Sequence, residues 1–298
     1  MEKLIECVAN FSEGRRAHVV DEIAGAIARQ AGISLLGAES DIDHNRSVVT
    51  FVGAPGAVSA AALAGIRVAA ELIDMTRHRG QHPRIGAADV IPFVPLRNAT
   101  IAECADLARS LGARVGAELN LPVFLYAEAA LQESNRELAA IRRGGYERLR
   151  DTIETGQSPQ PDYGPRRLGS AGGCAIGARD ILIAFNVYLT TSDLAPAQEI
   201  ARAIRASSGG LPHVQALGFF VKGRAQVSMN LTNYRVTSMY DVVEKIRSEA
   251  DSFNLEIESS EIIGLIPRDA LAGASASQLQ IANFRPERLL ETHLGNLV

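Results

Sequence analysis

The stretch ILIAFNVYL, residues 181–189, decides how the second half of this 298-residue chain is expected to fold. It is an apolar run rich in β-branched and aromatic side chains, which is typical of a buried strand. The segments that follow alternate between helical and strand-like patterns: helix 194–205, strands 214–221 and 225–232 joined by a turn at KGR, helix 239–253 and strand 255–266. In the second helix, Tyr240, Val243 and Ile246 are predicted to share the apolar face. The order βαββαβ is that of a ferredoxin-like unit.

The first half of the chain shows a similar alternation. Its predicted elements are strands 4–9, 33–38, 47–53, 89–94 and 123–126, and helices 18–30, 55–73, 101–119 and about 135–148. Ser12 is the expected cap of the first helix, because hydroxyl side chains bind free N–H groups there. The prediction is an α+β protein of two ferredoxin-like (βαββαβ) α/β-sandwich subdomains, residues 1–178 and 179–298, with a groove or tunnel between them. One larger mixed sheet is the alternative.

A segment rich in Gly, Pro and Ser, TGQSPQPDYGPRRLGSAGGCAIGAR at residues 155–179, separates the two halves. This composition predicts a loop. Loops of such length within a compact protein usually have a function or are disordered linkers. Because the segment directly precedes the strand at 181–189, we expect it to lie along the groove and to take part in binding.

The composition is that of a globular chain with no general affinity for polyanions. Apolar residues make up 47%, charged residues 21%, and the net charge is −4. Neither nucleic acid nor a membrane is therefore an expected partner. The most apolar stretch, residues 57–73, contains Arg67 and suits a packed helix better than a membrane span. The N-terminus does not resemble a signal peptide, and Cys7, Cys104 and Cys174 suggest neither a disulfide framework nor a zinc site, which fits the reducing cytoplasm.

The stretch RHRGQHPRIG, residues 77–86, places two histidines and three arginines within ten residues. His78 and His82 have the spacing of a helical metal pair, but Gly80 and Pro83 disfavour a helix and no third ligand is evident, so no metal is expected. A histidine held by proline and flanked by arginines is disfavoured in its protonated form. Such a neutral imidazole can accept a proton near pH 7, which makes His82 the candidate general base. The alternative is a solvated loop whose arginines follow a helix C-terminus.

Polar residues also occupy positions where the strand pattern favours apolar ones. Asn186 lies within IAFNVYL and Asn230 within VSMNLTNY. A buried amide costs free energy unless it is hydrogen-bonded, so both are candidates to bind a polar heterocycle, or else structural residues bonded to a neighbouring loop. In the loop ESDIDHNR, Asp41 is either a turn residue or a group that orients the histidine or binds a substrate ammonium. The N–H groups of NFSEGR, residues 10–15, are candidates to hold a carboxylate.

Several stretches together resemble the glutamate formimidoyltransferase (glutamate formiminotransferase) family. They are CVANFSEGR at 7–15, DHNRSVVTFVG at 43–53, IDMTRHRGQHPRIGAADVIPFVP at 73–95, GARDILIAFNVYL at 177–189 and AQVSMNLTNY at 225–234. The likeness runs from the N-terminus to about residue 266, and it extends to the formiminotransferase part of the bifunctional formiminotransferase–cyclodeaminase. No helical cyclodeaminase part follows, so the chain resembles the single-activity form.

The resemblance implies a folate-dependent one-carbon transferase. Such an enzyme moves a formimidoyl group between N-formimidoyl-L-glutamate and tetrahydrofolate, its co-substrate, to give 5-formimidoyltetrahydrofolate and L-glutamate in histidine degradation. The family's catalytic histidine lies in an H-P-R sequence, which maps to His82. Its folate-contacting stretch maps to Gly164, Pro165, Arg166, Arg167, Leu168, Gly169, Ser170, Ala171, Gly172 and Gly173. The resemblance also implies two ferredoxin-like formiminotransferase subdomains with a folate tunnel between them, and a homodimer.

Arginine is expected to hold the substrates, because its planar fork matches the carboxylates that both of them carry. The candidates are Arg77, Arg79, Arg84, Arg166 and Arg167. The chain departs from the family pattern in two places. Family members often carry an aspartate just after the second strand, where this chain reads GAESD, so Asp41 ranks below His82. The stretch SAGG has no aromatic residue to stack on the pterin, which predicts weaker folate binding.

Other functions stay open at this point. A folate-dependent glutamate N-formyltransferase on the same scaffold is one, because an NH or O substituent on the transferred carbon leaves no residue signature. A non-catalytic ferredoxin-like binding module is another, although RNA-binding sheets expose aromatic residues on their central strands and only scattered rings occur here. A metal hydrolase built on His78 and His82 is a third.

Overall fold

Two separate β-sheets organise the chain, one of six strands and one of four. The computed structural model describes residues 3–81 and 83–295. The chain divides between Asp180 and Ile181 into two units, and each unit has its own sheet and its own hydrophobic core. The alternative of one larger mixed sheet is therefore wrong.

The first unit contains six strands and five α-helices among the described residues. They are β1 (Leu4–Phe11), α1 (Ala17–Ala28), β2 (Ile33–Asp41), β3 (Arg46–Gly53), α2 (Pro55–Leu72), β4 (Ala88–Arg97), α3 (Ile101–Leu119), β5 (Val123–Ala127), α4 (Leu138–Ile141), α5 (Gly145–Thr152) and β6 (Cys174–Ala178). The strand order is β2-β3-β1-β4-β6-β5. The first four strands of this order pair antiparallel, and β6 and β5 extend the sheet in parallel with β4.

Alternation along β1 separates an apolar face of this sheet from a polar one. Ile5, Cys7 and Phe11 are fully buried in the core that α1, α2 and α3 share with the sheet. Glu6 and Asn10 are also buried, but their side chains lie on the opposite face. The polar face of the first sheet therefore offers buried hydrogen-bonding groups.

The apolar helix α2 is a core helix of this unit. Its length and apolar composition would be enough to span a membrane, and 44% of its residues are buried. Ala61, Ile66 and Ala69 belong to the core of the first unit. This burial agrees with the prediction of a packed helix.

The segment between residues 135 and 179 differs most from the prediction. The helix expected at about 135–148 is broken into α4 and α5, because Gly144 and Gly145 both have positive φ, at 80° and 68°. The last part of the expected loop 155–179 is the buried strand β6, which pairs with both β4 and β5. Both predictions were wrong at these points.

The predicted cap of the first helix is wrong, although the helix begins within one residue of its predicted start at residue 18. Helix α1 begins at Ala17 with Arg16 as its N-cap, and Ser12 instead donates its hydroxyl to Gly86 O at 2.7 Å. The Glu13 carboxylate accepts from the backbone N–H groups of Arg15 and Arg16, both at 2.9 Å. These donors are therefore satisfied within the chain.

The second unit contains four strands and three α-helices among the described residues. They are β7 (Ile183–Leu189), α6 (Leu194–Ile204), β8 (Val214–Val221), β9 (Arg224–Leu231), α7 (Met239–Asp251), β10 (Ile257–Ile263) and α8 (Leu290–Leu294). The sheet has the order β10-β7-β9-β8 and is antiparallel throughout. The predicted order of strands and helices in residues 181–266 is confirmed.

Local sequence explains how the elements of the second unit begin and turn. Lys222 and Gly223 have φ values of 52° and 76°, which is the two-residue turn that matches the twist of a hairpin. Ser238 and Asp241 form a capping box at the start of α7. Tyr240, predicted for the apolar face of α7, is 42% exposed. Val243 and Ile246 are buried as predicted.

Candidate active site

The histidine loop, residues 77–86, packs against the turn between β2 and β3. Asn45 in that turn donates its amide to Arg79 O at 3.0 Å. Gly80 lies so close to the His44 carbonyl oxygen that a β-carbon at position 80 would overlap it. Two separately predicted site segments are thus in direct contact.

On its other side the histidine loop is bonded to the glycine-rich loop, residues 164–173. Gly173 N donates to Ile85 O at 3.0 Å, and Gly86 forms a β-bridge with Gly172. A β-carbon on Gly86 would overlap the Gly173 carbonyl. The structure therefore brings the predicted histidine and folate segments together within the first unit.

His78 is a buried, neutral member of the histidine loop. Its Nδ1 accepts from Arg84 Nε at 3.1 Å, so the proton lies on Nε2, which donates to Asn45 O at 2.9 Å. Burial lowers the pKa of His78, and the nearby Arg84 cation lowers it further. Both ring nitrogens are occupied, so this histidine is not placed to bind a metal. Among residues 3–81 and 83–295, no group of three or more potential metal ligands exists.

The three arginines of the histidine loop have different surroundings. Arg84 forms a bidentate ion pair with Glu147, in which Nη1 donates to Oε2 at 2.9 Å and Nη2 donates to Oε1 at 2.7 Å. Only 13% of the Arg84 side chain is exposed. Arg77 is 88% exposed and lies 3.6 Å from Asp74. Arg79 is exposed and donates to His78 O at 2.8 Å. Two of the three guanidinium groups are thus open to solvent, while Arg84 is engaged inside the unit.

His82, the predicted catalytic residue, lies outside the described residues. The chain on either side of it is held by the contacts of Gly80 and of Ile85. These contacts place both ends of the histidine loop.

Asp41, at the end of β2, is bound within its own turn. One carboxylate oxygen accepts from His44 N at 2.8 Å, and the other lies 3.1 Å from His44 Nδ1. Gly14 N donates to Asn45 Oδ1 at 3.0 Å, which joins the NFSEGR segment to the same turn. The segments quoted around Asp41 and Gly14 are therefore neighbours of the histidine loop.

The glycine-rich loop combines fixed and open positions. Gly164 has φ +78° and packs against the Leu121 carbonyl, while Leu168 is buried. Arg166 and Arg167 are exposed. Further hydrogen bonds, from Met75 N to Ser170 O and from Tyr146 Oη to Gly169 O, anchor the loop at 2.7 and 3.3 Å.

A cluster that the sequence analysis did not identify lies beside these loops. Arg46 donates to Asn10 Oδ1, and Arg142 forms an ion pair with Asp89. Asp89 is almost fully buried and also accepts from Ile85 N at 2.8 Å. Four residues far apart in sequence are gathered here by sheet pairing and by α4. A polar residue at a buried strand position, such as Asn10, is the one sequence signal that could have pointed to this cluster.

The predicted asparagines of the second unit lie on one face of its sheet. Asn230 is opposite Ala184 and Asn186 is opposite Ser228, so both amides leave the sheet on the side away from α6 and α7. Asn186 Nδ2 donates to Glu261 Oε1 at 3.1 Å, and Tyr188 Oη donates to the same oxygen at 2.7 Å. Asn186 is therefore part of a polar network on this face.

The chain is thus a two-unit α+β protein whose first unit brings the arginine-rich histidine loop against the glycine-rich loop. Two family models divide the chain between them: the formiminotransferase domain, N-terminal subdomain, matches residues 4–179, and the formiminotransferase domain matches residues 184–285. The chain belongs to the formiminotransferase family.

Similar proteins span almost the whole chain. Glutamate formimidoyltransferase of Thermoplasma acidophilum is 49% identical over 292 residues, which cover 97% of this chain and 96% of that protein. Glutamate formimidoyltransferase of Streptococcus pyogenes is 40% identical over 298 residues, which cover 99% of this chain and 99% of that protein. Formimidoyltransferase-cyclodeaminase of Dictyostelium discoideum is 42% identical over 92% of this chain, which corresponds to 52% of that longer protein.

Proposed function

We propose that this chain is a glutamate formimidoyltransferase, which transfers the formimidoyl group between N-formimidoyl-L-glutamate and tetrahydrofolate. The observation that carries the proposal is the near-complete similarity to two single-activity enzymes of that name. The contact between the histidine loop and the glycine-rich loop supports it, because transfer requires two substrates side by side. Such positioning can lower a barrier by up to ~7–11 kcal/mol.

The proposed role of His82 is general acid–base catalysis. Attack by a folate nitrogen requires removal of its proton, the tetrahedral intermediate forms at the amidine carbon, and the departing glutamate nitrogen requires a proton. One imidazole can carry out both transfers in turn. Asp41 is proposed as an assisting acid. No metal enters this scheme.

The binding roles follow the positions of the side chains. We assign folate contact to residues 164–173, where Arg166 and Arg167 are exposed and suited to the acidic tail. Arg77 and Arg79 are exposed candidates for substrate carboxylates. Asn186 and Asn230 are proposed to contact the substrates from the second sheet. Arg84 is proposed to act through the histidine loop, since its guanidinium already contacts Glu147 and His78.

The proposal extends to the architecture. We assign residues 1–178 and 179–298 as two ferredoxin-like formiminotransferase subdomains with a folate-binding groove between them. The protein is proposed to act as a homodimer in the cytoplasm, in histidine degradation, with small-molecule substrates and without nucleic acid or membrane partners.

The experiment that tests the function is an assay of purified protein with tetrahydrofolate and either N-formimidoyl-L-glutamate or N-formyl-L-glutamate. The folate product is followed by its absorbance. Turnover with the formimidoyl donor at a clearly higher kcat/KM supports the proposal. Preference for the formyl donor would make the chain a formyltransferase, and no turnover with either donor would refute both.

Replacing His82 tests its role directly. His82→Ala should reduce kcat by ~10²–10⁴-fold, which is the usual contribution of general acid–base catalysis, while folate binding changes little. The matched control is His18→Ala, because His18 is exposed on α1. Wild-type turnover in His82→Ala would remove the assignment.

A further inference from the structure

Two arginines of the first unit, Arg46 and Arg142, have no part in the roles described so far. Arg46 begins β3 and donates to Asn10 Oδ1, and Arg142 follows α4 and donates to Asp89. The Nε atoms of both arginines are buried and have no hydrogen-bond partner among the described residues. Buried donors normally have partners, so these two N–H groups need an explanation.

The positive charge of this pair is not balanced by its own contacts. The hydrogen-bond partner of Arg46, Asn10, is neutral, and Arg142 pairs with the nearly buried Asp89. Burial and the neighbouring Arg142 cation lower the pKa of Arg46 to about 10, against the opposing effects of Asp89 and Asp41. Arg46 therefore stays charged at neutral pH. A desolvated cation with a neutral partner is unfavourable unless an anion comes to it.

Both arginines are also connected to the histidine loop. Asn45, next to Arg46 in sequence, bonds to Arg79 O and accepts from His78. Asp89, the partner of Arg142, accepts from Ile85 N at the other end of the loop. The arginine pair thus lies beside the segment that carries the proposed catalytic residue.

We propose that Arg46 and Arg142 form the subsite that binds a substrate carboxylate next to the histidine loop. This inference rests on the proposed function and names the residues that select an acidic substrate there. A guanidinium binds a carboxylate through two parallel hydrogen bonds, which a lysine ammonium does not reproduce. The carboxylate comes either from the glutamate donor or from the glutamate tail of the folate, and the test separates these sources.

The test compares Arg46→Gln and Arg142→Gln with the wild-type protein. Two quantities are measured: the Kd of L-glutamate by calorimetry, and the KM values of N-formimidoyl-L-glutamate, tetrahydrofolate and tetrahydropteroate, which lacks the glutamate tail. Loss of a charged hydrogen bond should weaken the binding of the affected ligand by about 10- to 100-fold. If the subsite binds the donor, the substitutions should raise the Kd of L-glutamate and the KM of N-formimidoyl-L-glutamate. If the subsite binds the folate tail, the substitutions should raise the KM of tetrahydrofolate but not that of tetrahydropteroate.

The controls distinguish the loss of the subsite from misfolding and from a failure of the proposed function. Arg46→Lys retains the cation but not the fork and should lose most of the same affinity, which guards against a glutamine variant that fails to fold. Arg67→Gln, on the exposed side of α2 where Arg67 pairs with Glu118, should leave every value unchanged. If the variants fold and keep all ligand affinities while the wild-type protein shows full turnover, the subsite is overturned but the proposed function is not. A wild-type protein without turnover would overturn the proposed function.

Discussion

His78 shows how one buried side chain fixes the shape of the histidine loop, because it accepts from Arg84 and donates to Asn45 O. His78→Leu would leave both partners unsatisfied, at a cost of about 1–3 kcal/mol each. We expect urea denaturation to show this loss of stability, and kcat to fall because the loop is less well held. His18→Leu, on the exposed side of α1, is the matched control.

The pH dependence of stability provides a second readout of His78. Its folded-state pKa is lowered from the ordinary 6.5, chiefly by burial. As the pH falls below 6.5 the unfolded chain takes up a proton before the folded chain does, so stability is lost towards lower pH. This component should be absent in His78→Leu. If both proteins show the same slope below pH 6.5, the buried neutral imidazole is not responsible.

Glu6 should give the opposite pH dependence. Burial on the polar face of the first sheet raises its pKa from 4.5 to about 7, although Arg179 opposes the shift. The unfolded chain loses this proton first as the pH rises, so stability should fall between about pH 4.5 and 7 and remain constant above. Glu6→Gln should remove this fall and be more stable than wild type at pH 8, by thermal or urea unfolding. Equal stability of the two proteins at pH 8 would contradict a raised pKa of the buried Glu6.

At the level of elements, close backbone packing joins the histidine loop to the glycine-rich loop. Gly86→Ala should destabilise the protein by roughly 1–3 kcal/mol or more, because its β-carbon would overlap the Gly173 carbonyl. Gly56→Ala in α2 is the matched control, since nothing lies within 4 Å of an added β-carbon there and alanine should stabilise the helix by roughly 0.5–1 kcal/mol. Urea denaturation measures both changes. Equal stability of the two variants would show that the loops are not in contact at Gly86.

The regular elements could be predicted where a hydrophobic period extends over a full turn or strand. The hairpin of β8 and β9 was predicted because the turn KGR lies between two strand-like runs, and helix α7 was predicted because its apolar residues recur at helical spacing. Strand β6 was missed because CAIGA follows a run of glycines, and only its two parallel neighbours in the sheet make it a strand. Short parallel strands depend on partners far along the chain, which a local pattern does not show.

The candidate site shows the same division between local and long-range information. The histidine loop was recognised because its unusual residues are consecutive. Arg46, Asp89 and Arg142 lie in three separate segments of the sequence and meet only through sheet order and through α4. Arg84 was expected to hold a substrate, but its direct contacts with Glu147 and His78 follow from tertiary structure alone.

At the level of the whole molecule, each unit encloses its own core, so the two should lose structure in separate steps. All three cysteines, Cys7, Cys104 and Cys174, are buried, unpaired and located in the first unit. Burial raises the pKa of Cys104 to about 12 and that of the other two well above their usual range. Their thiols should therefore not react in the native state at pH 8, and thiol labelling reports the opening of the first unit alone.

We expect the second unit to unfold at a lower urea concentration, because the smaller unit buries less apolar surface. Far-UV circular dichroism should then change before the thiols become reactive. Val227→Ala in β9 and Val49→Ala in β3 form a matched pair, since both valines are fully buried and each truncation costs roughly 1–3 kcal/mol. Val227→Ala should move only the first transition, and Val49→Ala should move only the onset of labelling. If either variant moves both transitions together, the two cores unfold as one cooperative unit.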